Sequence, residues 1–169
     1  LSYPFDTLLK LFDTIPTIKA IKDWCNDPML HEKHIRVFQN LPHPVSVLTT
    51  HSAWLMSSLV MGANGLLSGA GSVIADLQVA LFNAVKSNDI AKAKKINDSI
   101  FPLVQLFYKP PFLDMHNRMK ETLVLLNRIE KAFVRPPLMK LPSDEIEALR
   151  KIIKQINLTE HSKVFTAAE

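Results

Sequence analysis

The residue with the most chemistry to offer is a lysine in an alternating run. Residues 17–23 (Thr-Ile-Lys-Ala-Ile-Lys-Asp) place Ile18, Ala20 and Lys22 on one face of a strand, with Lys19 and Ile21 on the other. An amine set among apolar neighbours loses hydration, which favours its neutral form, and a neutral amine can attack a ketone to form a Schiff base. The same side chain could instead reach solvent or pair with Asp23. A place at the carboxyl end of a parallel strand, where barrel active sites are built, strengthens the catalytic reading. Thr49, Thr50, His51 and Ser52 close a second apolar run, and hydroxyls beside an imidazole suit a polyhydroxylated ligand; capping of a following helix explains Ser52 equally well. Gly69-Ala70-Gly71-Ser72 could bring backbone amides to an anion or form a plain tight turn, and the full dinucleotide fingerprint is absent. His31-Glu32-Lys33-His34 spaces its histidines three apart, where the helical zinc motif needs four, so no metal site is expected. Cys25 reads as a small buried residue rather than a reactive thiol, and Met56, Met61, Met115 and Met119 as core filler.

The elements that must position these residues follow from hydrophobic period. Phe5, Leu8, Leu9 and Phe12 mark a helix over 5–14, stopped by Ile15-Pro16. Strand 17–23, a helix over 28–40, strand 45–50, a helix over 53–61 and strand 66–68 then alternate, the pattern of a parallel sheet with crossover helices. From about residue 75 the pattern is helical only. Asp76–Lys86 forms one helix, Asp89 caps a second with Ile90, Ala93, Ile96, Ile100, Leu103 and Phe107 as its stripe, a third carries Met115, Met119, Leu123 and Leu126, and a last one starts at Ser143 and runs through Ile156.

The 169 residues, 47% hydrophobic and 21% charged, exclude a disordered chain or a disulfide miniprotein. The net charge of +4 is spread along helix-like segments without a basic run interleaved with aromatics, so no nucleic-acid partner is expected. One cysteine fits a reducing, cytoplasmic compartment. Residues 53–75 carry no Asp, Glu, Lys or Arg, but all four glycines of the chain fall there, which argues for buried core containing a strand and against a membrane span.

Ile15-Pro16-Thr17-Ile18-Lys19-Ala20-Ile21-Lys22-Asp23, then Val47-Leu48-Thr49-Thr50, then Gly62-Ala63-Asn64-Gly65-Leu66-Leu67-Ser68 resemble, in order and spacing, the dihydrodipicolinate synthase / N-acetylneuraminate lyase family. Asn88-Asp89 with Ala91, Ala93 and Ile96, and later Arg135-Pro136-Pro137-Leu138, resemble that family's helices after the barrel. The resemblance implies an α/β fold, the C-terminal part of a (β/α)8 TIM barrel (strands six to eight) followed by a C-terminal helical extension. Residues 1–75 would be the barrel portion, and 76–169 the last barrel helix and the extension. It implies a carbon-carbon or carbon-oxygen lyase, a class I aldolase or dehydratase acting on pyruvate or a 2-keto-3-deoxy sugar acid without a cofactor, with dihydrodipicolinate synthesis as the alternative and a homotetramer as the assembly. Lys22 matches the family's Schiff-base lysine, and Thr49, Thr50, His51, Leu67 and Ser68 take positions expected to contact substrate. Ser52 and Ala53 stand where sialate lyases carry acidic residues, and Asp23-Trp24-Cys25 replaces small or hydroxylated residues common in the family. The family's tyrosine proton shuttle and carboxylate-holding loop belong to earlier strands absent from this sequence. A closed barrel takes about 250 residues, so the chain reads as the carboxyl-terminal part of a larger unit, with a non-catalytic piece as the competing expectation.

Overall fold

A computed structural model describes residues 3–50 and 52–158 of the chain. It is a mixed α/β structure, rich in helix, around a three-stranded parallel sheet of order β1-β2-β3. The elements run α1 (Phe5–Thr14), β1 (Ala20–Asp23), α2 (Pro28–Phe38), β2 (Ser46–Thr49), α3 (Leu55–Val60), β3 (Gly65–Leu66), α4 (Gly71–Lys86), α5 (Ile90–Phe107), α6 (Met115–Leu125) and α7 (Ser143–Gln155). Ala20 to Asp23 pair with Ser46 to Thr49, and Leu48 and Thr49 with Gly65 and Leu66, so Lys22, Leu48 and Gly65 lie side by side on one face and Asp23, Thr49 and Leu66 on the other. Phe38, Val47, Leu55, Val73, Ile74 and Leu81 are fully buried or nearly so and join the sheet's helical side to the helices that follow.

Each helix overlaps a span read from hydrophobic period, α2 and α3 shorter and α4 longer than expected; β1 and β2 are shorter than their spans, and β3 starts one residue early and shares only Leu66 with the expected 66–68. β1 starts at Ala20 because Ile18 N–H turns back to Ile15 O at 3.0 Å, leaving residues 16 and 17 in a turn. α2 is stopped at Phe38 by the return of the chain, as Phe38 O accepts from Val45 N–H at 2.9 Å. α4 begins at Gly71 rather than near Asp76 and is kinked at Ile74 (φ −123°, ψ 42°). Gly71 sits close against the Gln78 side chain, whose Oε1 lies 2.9 Å from where a Cβ would stand, so a larger residue there would push that flexible amide aside. Gly62 carries φ +109° in the turn after α3, a conformation that favours glycine. Asp89 caps α5, accepting from Lys92 N–H at 3.0 Å. Among the described residues no helix is long and apolar enough to cross a membrane.

Beyond the sheet, the helices after α4 are tied by Arg118 of α6, whose side chain is wholly buried. Its guanidinium donates to Phe107 O (3.2 Å), Lys109 O (2.6 Å), Pro111 O (3.3 Å) and Pro110 O (3.4 Å) and to Glu145 Oε2 of α7 (2.9 Å). Lys109 Nζ meets the other oxygen of Glu145 at 3.2 Å. Burial pushes the Glu145 carboxyl up, and its hydrogen bonds and charge contacts with Arg118 and Lys109 more than offset that, so it titrates below the ordinary carboxylate value. One planar fork thus fixes the turn between α5 and α6, which carries Tyr108 and Phe112.

Candidate active site

The carboxyl ends of the three strands bring together residues from β1, the β2–α3 loop, the β3–α4 loop and the end of α5. Lys22 lies on the open face of β1, exposed together with Ala20, while Ile18 is half-buried. The apolar enclosure read from alternation is therefore partial: among the described residues β1 pairs on one side only, and Lys22 opens on a recess of about 380 Å³ lined also by Leu8, Phe12, Ile18, Ile21 and Trp24. Trp24 forms the wall between this recess and a second pocket of about 360 Å³, lined by Trp24, Asn26, Thr50, Ser52, Ala53, Trp54, Tyr108 and Phe112.

Of the sequence-derived candidates, Thr50 faces that second pocket, and its buried Oγ1 has no hydrogen-bond partner. Thr49 is equally buried but sits on the helical face beside Asp23, away from Lys22. Ser68 hydrogen-bonds Ser52 through their hydroxyls, Ser52 Oγ lies 3.0 Å from Tyr108 Oη, and Gln78 Nε2 donates to Ser68 Oγ at 3.1 Å. Leu67 is exposed, and its N–H extends the ladder to Thr49 O at 2.8 Å. His51 lies outside the described residues. Gly69 and Ala70 form a tight turn that leads into α4: the amides of Gly71, Ser72 and Val73 donate to the carbonyls of Ser68, Gly69 and Ala70 at 3.0–3.1 Å, so these three N–H groups are already committed and an anion-binding role is not supported.

Sequence reasoning missed Tyr108, Trp54 and Phe112 at this edge. Tyr108 lies 56 residues from Ser52 in sequence, so only the packing of α5 brings them together. Burial pushes the Tyr108 phenol up, against the opposing hydrogen bonds from Ser52, Ser68 and the Ala70 backbone, so it stays protonated at neutral pH.

A second missed cluster lies under the end of β1. Asp27 caps α2 and accepts from Met29 and Leu30 N–H, and the three-residue spacing of His31 and His34 puts both rings on the buried face of that helix. Both rings approach Asp23 Oδ2, His31 Nδ1 at 2.7 Å and His34 Nδ1 at 2.8 Å, while Cys25 N–H donates to Asp23 Oδ1 at 2.9 Å. Ser58 Oγ of α3 stands 2.6 Å from His31 Nε2. Burial raises the Asp23 carboxyl, and the bonds from His31, His34 and Cys25 N–H outweigh it, holding Asp23 well below the ordinary carboxylate range. The histidines that read as a failed zinc motif therefore serve a carboxylate. Asp23, Cys25 and His34 do offer ligand atoms within 4.8 Å of one another. Asp23 Oδ2 already faces two imidazoles, however, and the Cys25 thiol, which donates to Asp27 O at 3.3 Å, is pushed up to about 12, first by burial and then by the nearby carboxylates, so it is not the thiolate that metal ligation needs.

A folded-state carboxyl held below its unfolded value of about 3.9 adds stability above that pH and loses it as pH falls toward the folded value. Asp23→Asn is accordingly expected to cost about 2–3 kcal/mol at pH 7. The gap between variant and wild type should shrink as pH drops below about 4; urea midpoints at pH 7, 4 and 2.5 check this.

The chain is 27% identical over 150 residues to YagE of Escherichia coli K12, a protein assigned as a 2-dehydro-3-deoxy-D-gluconate aldolase, covering 88% of this chain and 48% of that one. It is 27% identical over 155 residues to a 4-hydroxy-tetrahydrodipicolinate synthase of Nitrosomonas eutropha, covering 91% and 50%. The crystal structure of YagE in complex with pyruvate superposes with TM-score 0.76 at 26% identity over 88% of this chain and 49% of that one. A dihydrodipicolinate synthase of Thermotoga maritima superposes with TM-score 0.80 at 19% identity over 90% and 50%. The chain spans about half the length of these relatives. The model of the dihydrodipicolinate synthetase family matches residues 3–156, and the chain belongs to that family.

Proposed function

We propose that this chain supplies the imine-forming part of a class I lyase that cleaves a 2-keto-3-deoxy sugar acid into pyruvate and an aldehyde. The observation that carries the reading is Lys22, in Ile21-Lys22-Asp23 at the carboxyl end of a parallel strand, within a family whose relative YagE has been solved with pyruvate. In this reading β1, β2 and β3 are strands six, seven and eight of a (β/α)8 barrel, with residues 76–169 supplying the last barrel helix and the helical extension. Lys22 Nζ, as the free amine, adds to the C2 ketone, and loss of water leaves a protonated imine. The C3–C4 bond then breaks, its electron pair moving into the imine to form an enamine while C4, having lost its hydroxyl proton, leaves as the aldehyde. Protonation of the enamine at C3 and hydrolysis release pyruvate and restore the amine. The polar tip of Thr50, the hydroxyls of Ser52 and Tyr108 and the aromatic walls of Trp24, Trp54 and Phe112 suit the hydroxylated distal chain, with Ser68 bonded to Ser52 beside them.

Relatives named 4-hydroxy-tetrahydrodipicolinate synthase support a second reading, condensation of pyruvate with aspartate semialdehyde. Pyruvate release from 2-dehydro-3-deoxygluconate, followed through lactate dehydrogenase and NADH, is expected to exceed condensation with aspartate semialdehyde by at least about tenfold in kcat/KM, roughly 1.4 kcal/mol of transition-state preference. A reversed ratio would select the synthase. A third reading, a non-catalytic piece that works by association, draws support from the open edges of β1 and β3; sedimentation of the 169-residue chain as a stable monomer would count against it.

A further inference from the structure

We infer that the buried cluster Asp23, His31, His34 and Ser58 is a positioning device for Lys22, holding the end of β1 in the geometry that imine formation needs. The inference rests on the Schiff-base reading of Lys22. Asp23 is the last residue of β1 and the immediate neighbour of Lys22, pointing to the opposite face. Its carboxylate ties that strand end to α2 through two imidazole contacts of 2.7 and 2.8 Å, and His31 passes the tie on to α3 through Ser58. Asp23, His31, His34 and Ser58 are each at most 4% exposed, so water does not compete for these bonds.

Among the described residues β1 pairs with β2 alone, and the clamp adds a second, side-chain restraint on the strand end that carries Lys22. A strand end that shifts by about an ångström carries Lys22 with it, and misplacement of that size costs on the order of 10²-fold in a reaction that depends on near-attack geometry. His31 also packs edge-on against Trp54, ring centroids 5.3 Å apart, so the same cluster backs one wall of the pocket beside Lys22.

The test compares the rate of pyruvate imine trapping by borohydride, per folded molecule, in the full chain and two variants. Asp23→Asn removes the carboxylate. His34→Phe keeps a flat ring between Phe5 and Phe38, against which His34 stacks, and removes both the contact to Asp23 and the buried Nε2 that has no partner; it should lose less stability than Asp23→Asn, because His31 and Cys25 N–H still serve the carboxylate. Trapping is expected to slow about 10- to 100-fold in Asp23→Asn and about 3- to 10-fold in His34→Phe, with the pyruvate concentration for half-saturation changed less than about twofold. Rates within twofold of wild type in both variants, or a rise in half-saturation that accounts for the loss, would overturn the positioning role while leaving the Schiff base standing. Absence of any adduct in the folded wild-type chain would overturn both.

Discussion

Lys22→Arg is expected to abolish lyase turnover, lowering kcat by at least about 10³-fold, or more than about 4 kcal/mol of barrier, with the fold unchanged. The substitution preserves the positive charge and the length of an exposed side chain at the end of β1, so packing has little reason to suffer. What it removes is a nitrogen that can be deprotonated: a guanidinium stays charged at any working pH and cannot add to a ketone. A purely electrostatic role for Lys22 would leave the variant with substantial activity, whereas a nucleophilic role leaves almost none. Pyruvate release from the sugar acid, measured alongside circular dichroism of the same sample, separates the two.

The largest effect on stability is expected at Arg118. Arg118→Met fills much of the same volume but leaves the carbonyls of Phe107, Lys109, Pro110 and Pro111 without their donor and Glu145 with Lys109 alone. Breaking a buried ion pair from one side costs about 3–5 kcal/mol, and the stranded carbonyls add to that cost where water does not reach them. Arg118→Lys should recover only part of the loss, since an ammonium cannot span the fan of acceptors that a planar guanidinium meets. Urea midpoints at pH 7 give both numbers. The turn held by Arg118 carries Tyr108 and Phe112, so this loss should also loosen the pocket wall beside Ser52.

Much of the architecture was legible because its local signals agree with its packing. α5 illustrates this: Asp89 at the cap, then Ala93, Ile100, Leu103 and Phe107 at helical spacing, and all four of those apolar residues are buried. The strands were legible from alternation and β-branched runs, although their ends were not, because pairing is decided by partners far off in sequence, as Ser46 N–H to Lys19 O shows. The early start of α4 escaped notice because glycines at 69 and 71 look like a turn that continues, while the fit against Gln78 is a tertiary fact.

The site divides in the same way. Lys22 stood out from its context in a single strand, and the resemblance of that strand to a family motif gave it a role. The partners of Asp23 were hidden because a strand residue and two helix residues share no periodic signature. The i, i+3 histidines signalled only that one helix face was polar, and nothing local said that face was buried. Tyr108 was hidden for a different reason: it ends a helix outside the sheet, and its contact with Ser52 exists only once α5 packs across the loop after β2.

The most direct measurement is borohydride reduction of the full chain in the presence of pyruvate, followed by peptide mapping by mass spectrometry. The expected result is one added pyruvyl group, reduced and stable, on the peptide containing Lys22, with none when Lys22→Arg is treated identically. A folded chain that takes up no pyruvate, or takes it up on a lysine other than Lys22, would contradict the imine-forming role of Lys22.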